Sequence, residues 1–95
     1  MAFKLSFTDE AKGQLESLKS DPKKLKKVRK CLGMVETDPK HPGLRSHKYS
    51  QMKSDDNKGV FESYVEKHST GVWRVFWIYG PESIEITVKS ITGHP

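Results

Sequence analysis

Apolar and polar residues alternate at the start of the chain: Phe3, Leu5 and Phe7 fall on one side of an extended backbone, Lys4 and Ser6 on the other. That period of two predicts a short half-buried strand. The period then changes. Ala11, Leu15 and Leu18 recur at helical spacing through about Lys19, behind Thr8 as a cap. Asp9 and Glu10 fill the first turn, where the helix dipole favours negative charge. Asp21-Pro22 is a second start signal, a capping side chain followed by proline at the first helical position. Leu25, Val28, Leu32 and Val35 form one stripe of this second helix, which the segment Asp38-Pro-Lys-His-Pro-Gly43 ends.

Residues 44–59 (LRSHKYSQMKSDDNKG) are polar and have no sustained period, so they read as a long connection of the kind that carries function. Val60 to His68 reads as a strand and Ser69-Thr70-Gly71 as a turn. Val72 to Tyr79 and Ile84 to Thr92 complete a three-strand meander. The order is β-α-α-β-β-β. It predicts an α+β fold, with two N-terminal helices packed on one face of a mainly antiparallel twisted sheet. Ninety-five residues make a single domain spanning 1–95.

A turn over residues 80–83 predicts pairs of Tyr79 with Ile84, Trp77 with Ile86 and Arg74 with Lys89. A tight turn at 69 and 70 puts Val65 opposite Arg74. On that register Tyr64, Trp73, Val75, Trp77, Tyr79, Ile84, Ile86 and Val88 form an apolar face for the helices. Lys67, Arg74 and Lys89 share the other face with Val65, Phe76, Ile78 and Thr87. Cations mixed with aromatic surface suit a phosphate backbone and stacked bases. The same residues also suit an ordinary outer face, with the cations paired to Glu62, Glu85 or solvent. Both readings stand at this level.

Composition narrows the classes. Seventeen Lys and Arg against twelve Asp and Glu give a net charge of +5, which favours a polyanionic partner. Six cations between Lys23 and Lys30 surround the stripe of the second helix. Lys23 and Lys24 lie in its first turn, against the dipole. Cys31 is the only cysteine, so no intramolecular disulfide forms, and on the stripe it reads as a small core residue. The four histidines lack the paired local spacings of a zinc site, and neither metal nor cofactor is expected. No apolar run approaches the ~20 residues of a membrane span, and the N-terminus does not read as a signal peptide, so a cytoplasmic location is expected.

Arg74 lies within the first strand of the final hairpin, and His94 follows its last strand, where a histidine is ordinarily an exposed side chain. An arginine cannot lose its charge, so burying it requires a partner or a purpose. At ~3.3 Å per residue the two side chains are expected at one end of the sheet, about 10–13 Å apart.

Taken in order, FTDEAKGQLESL, the basic second helix, DPKHPGLRSHKY, GVWRVFWIYGP and IEITVKSITGHP resemble the RelE/ParE superfamily of bacterial type II toxins over nearly the whole length. The branch ending in Ile-Thr-x-His-Pro is most similar. This resemblance implies an mRNA interferase that cleaves messenger RNA on the ribosome, held in check by a cognate antitoxin from a neighbouring gene. It places Arg74 at the family's strand arginine, holding the phosphate, and His94 at a C-terminal histidine acting as acid or base. It places Lys48, with Arg45 and His47, among basic residues of the connection that act in catalysis or hold phosphate. Lys67 and Lys89 would add RNA contacts, and Tyr49 and Tyr64 are candidates for the family's tyrosine. The acidic strand ESYVEK departs from the pattern. Alternatives within the resemblance are a ParE-like inhibitor of DNA gyrase, which is not an enzyme, and a degenerate member that only binds an acidic partner.

Overall fold

A computed structural model describes residues 2–48, 59–65 and 73–93. The first strand, β1, spans Lys4–Phe7 and leads into helix α1, Asp9–Ser17. The hydroxyl of Thr8 accepts the amide of Ala11 at 3.1 Å and donates to the carbonyl of Lys89 at 2.7 Å. One side chain therefore caps the helix and ties it to the last strand. A 3₁₀ turn over Leu18–Ser20 connects to helix α2, Pro22–Thr37, capped by Asp21, whose carboxylate accepts from the amide of Lys24. Threonine to alanine at position 8 removes both bonds at once and should cost about 1–2 kcal/mol, read as a lower denaturant midpoint with an unchanged slope.

A second 3₁₀ turn, Pro42–Leu44, precedes the two-residue strand β2, His47–Lys48. Strands β3 (Phe61–Tyr64), β4 (Arg74–Tyr79) and β5 (Glu85–Thr92) follow. The sheet runs β1-β5-β4-β3-β2, with β1 parallel to β5 and every other pair antiparallel. The expected α+β architecture and its mainly antiparallel sheet are as observed. Both helices supply one side of the core. Ala11, Leu18, Val28, Cys31, Leu32 and Val35 pack against Val75, Trp77, Ile86, Val88 and Ile91 of the sheet.

The pairing differs from the expected register, for two local reasons. Tyr79 pairs with Ile86 and Trp77 with Val88, because the connection runs through Ile84, which is 56% exposed rather than part of the core. Gly80 takes a φ of +108° there, a region open to glycine, and its amide donates to the carbonyl of Glu85. A bulge between Phe76 and Trp77 then leaves Lys89 as the extra residue, and Arg74 faces Thr92 instead of Lys89. The extra residue reverses the alternation, which is why Ile86, Val88 and Ile91 can all reach the core. On β3, Tyr64 pairs with Arg74, one residue away from the expected Val65. That single step turns Tyr64 to the outer face and lets Val65 pack against the core.

Candidate functional site

The outer face of the sheet, away from the helices, gathers the polar chemistry. Glu62 and Tyr64 from β3 lie beside Phe76 and Arg74 from β4. Arg74 is buried, and its Nη1 donates to Oε2 of Glu62 at 2.6 Å. The side chains are 10% and 3% exposed, so the ion pair is almost sealed from solvent. Tyr64 donates its hydroxyl to the other carboxylate oxygen, Oε1, at 3.2 Å. The Arg74 guanidinium also lies 5.4 Å from the centroid of the Phe76 ring, within cation–π range. Of the two readings open at the sequence level, the geometry matches the pairing of Arg74 with Glu62.

Arg45 reaches this face from the connection before β2. Leu44 is 1% exposed and anchors the 3₁₀ turn, while the Gly43 amide donates to Nδ1 of His41. Arg45 then takes a left-handed φ of 52°, unusual for a residue with a side chain, and its guanidinium stands 5.1 Å from the Tyr64 ring centroid. His47 is the register partner of Glu62. Lys48 is the partner of Phe61, whose ring belongs to the helix side of the sheet, so Lys48 does not join Arg74. Lys89 is displaced into the bulge. Lys67, Tyr49 and His94 lie outside the described residues, as does the expected approach of His94 to Arg74.

Ser63, opposite Val75, lies on the helix side of the sheet. Its hydroxyl accepts from Nε1 of Trp77 at 2.8 Å and shares a hydrogen bond with the hydroxyl of Ser46. Cys31 is no nucleophile. Burial pushes its thiol up to about 12, and Sγ donates to the carbonyl of Tyr64. Lys24, placed against the helix dipole, stands 5.6 Å from the Trp73 ring centroid, within cation–π range. Among the described residues no group of three His, Cys, Asp or Glu side chains is placed to hold a metal, and no helix is long and apolar enough to cross a membrane. Sequence offers Glu62 as one partner for the face's cations, but Glu62 and Arg74 meet only once the strands are in register. The signal of this clasp was the acidic strand itself.

No protein-family model and no curated protein matches the chain. Solved structures do. The YoeB/ParE toxin from Agrobacterium tumefaciens superposes with a TM-score of 0.72 at 13% identity, covering 97% of this chain and 99% of that one. A chain of the E. coli DinJ-YafQ toxin-antitoxin complex gives 0.70 at 11% identity, over 99% and 94%. A chain of the archaeal RelE-RelB complex from Pyrococcus horikoshii gives 0.69 at 11% identity, over 98% and 96%. The chain is similar in fold to these toxin structures.

Proposed function

We propose that the chain is the toxin of a toxin–antitoxin pair, with translated messenger RNA as its target. The observation that carries the reading is the outer sheet face, where Arg45 stands over the Tyr64 ring beside Arg74, the Phe76 ring under Arg74 being 2% exposed and closed to stacking. Cations beside aromatic rings hold a sugar–phosphate chain and stack its bases. The complete fold match to toxins, two of them solved with antitoxins, supports the same assignment. In the reaction the 2′-oxygen bonds to the adjacent phosphorus as its proton passes to a base, and the bond to the 5′-oxygen breaks as an acid protonates it. His94 is suited to exchange these protons near neutral pH, and Arg74 to hold the phosphate once freed from Glu62. Lys67 and Lys89 would contact the RNA backbone. Lys48 keeps the lesser role of an exposed cation on the sheet edge.

The Arg74–Glu62 clasp favours a second reading. An arginine already neutralised by a buried carboxylate is a poor phosphate fork, as expected of a family member that binds a partner and cleaves nothing. Induced expression separates the two. The toxin reading predicts growth arrest, new 5′ ends in translated messages, and relief of both by His94→Ala. Growth without arrest, in the absence of any neighbouring antitoxin gene, establishes the binding-only reading instead. Arrest with intact messages and an induced DNA-damage response points to gyrase.

A further inference from the structure

We propose that Glu62 is an internal competitor for the ligand of Arg74: its carboxylate occupies the place of a phosphodiester oxygen, and a polyanion engages the arginine only by displacing it. The identity of that polyanion as RNA rests on the function proposed above. The competition itself rests on the clasp.

A guanidinium stays charged in every state, so a buried one must face an anion both before and after a ligand arrives. Carboxylate and phosphate oxygens accept from the same N–H groups of that fork in the same geometry. Nη1 of Arg74 is taken by Oε2 of Glu62 at 2.6 Å, and Oε1 is held separately by the Tyr64 hydroxyl at 3.2 Å. The carboxylate is thus gripped at both oxygens. Its backbone is fixed by the β3–β4 ladder, where Glu62 pairs with Phe76 and Tyr64 with Arg74. Opening therefore requires Glu62 to rotate out of a pair whose side chains are 3% and 10% exposed, with no change of strand register. Tyr64 sets how readily that rotation occurs, and Arg45 over the Tyr64 ring brings a second cation to the same spot.

The test uses the whole chain with two probes: inorganic phosphate, followed by its effect on the thermal midpoint, and a fluorescent single-stranded 2′-O-methyl RNA, followed by anisotropy. The methylated RNA cannot supply the attacking hydroxyl, so binding is read apart from cleavage. Glu62→Gln keeps the shape and a hydrogen-bond acceptor but removes the competing charge. It should tighten both probes by about tenfold, the worth of exchanging a charge-assisted for a neutral hydrogen bond. Tyr64→Phe loosens the grip with every charge retained and should give a gain of about threefold. The gain in Glu62→Gln should vanish in the double variant with Arg74→Gln. Equal binding by wild type and Glu62→Gln, or a gain that survives loss of Arg74, overturns the proposal. Should Glu62→Gln fail to fold, unchanged binding by Tyr64→Phe overturns it instead. Tighter binding by the variants, with no new 5′ ends in translated messages when the unaltered chain is induced, leaves the competitor standing and removes the nuclease reading.

Discussion

Replacing Glu62 by alanine, with Arg74 left in place, will destabilise the domain by about 3–5 kcal/mol. The pair is 2.6 Å apart with both side chains nearly sealed from water. Deleting the carboxylate removes the counter-charge from a guanidinium that is 10% exposed and cannot lose its own charge, and the Tyr64 hydroxyl loses its acceptor as well. Replacing both partners by methionine should cost far less, because the burial of charge is then removed with the pairing. Equilibrium denaturation of Glu62→Met, Arg74→Met and the double variant yields the coupling directly. A cost below about 1 kcal/mol for Glu62→Ala would mean that water reaches the guanidinium, as in surface pairs. Glu62→Gln is expected to be milder, since the amide oxygen still accepts from Arg74.

Trp77→Ala should be equally severe, about 3–5 kcal/mol, by a different cause. Trp77 is 1% exposed at the centre of the core. Its ring stacks on Phe61 at 4.9 Å between centroids and meets the edge of Tyr79 at 5.0 Å. Phe3 extends the cluster by packing on Tyr79 at 5.8 Å. Truncation opens a cavity that strand backbones hydrogen-bonded on both sides of β4 cannot collapse to fill. It also removes the indole donor from Ser63. Trp77→Phe keeps most of the volume and should cost roughly half as much. Trp73 remains as the fluorescence reporter of unfolding in both variants. Comparable losses for alanine and phenylalanine would place the energy in the Ser63 hydrogen bond rather than in the packing.

The two variants probe opposite faces of the sheet, and the faces differ in how far they can be read from residues alone. The helices announce themselves. Thr8 and Asp21-Pro22 are local capping signals, and the stripe of Val28, Leu32 and Val35 needs no tertiary information to be recognised, because helical periodicity is a property of the chain itself. The strands of the final hairpin are equally plain in composition. What alternation leaves open is which strand residue meets which, since a step of one residue exchanges the faces. That step occurred at β3, where Tyr64 rather than Val65 faces Arg74, and a bulge at Lys89 altered the pairing along β5.

Sequence alone therefore determined the two helices, the first strand and the final three strands, the apolar side of each helix and the presence of an arginine inside a strand, because each depends on near neighbours along the chain. The two-residue strand His47–Lys48 within the polar connection was not legible. Only the assembled sheet decided that this arginine meets Glu62, that Tyr64 grips the same carboxylate, and that Lys48 stands on the other side from both. Those contacts join residues from different strands, and their geometry is set by hydrogen-bond register and by one extra residue in a ladder. Neither leaves a periodic trace in the order of amino acids.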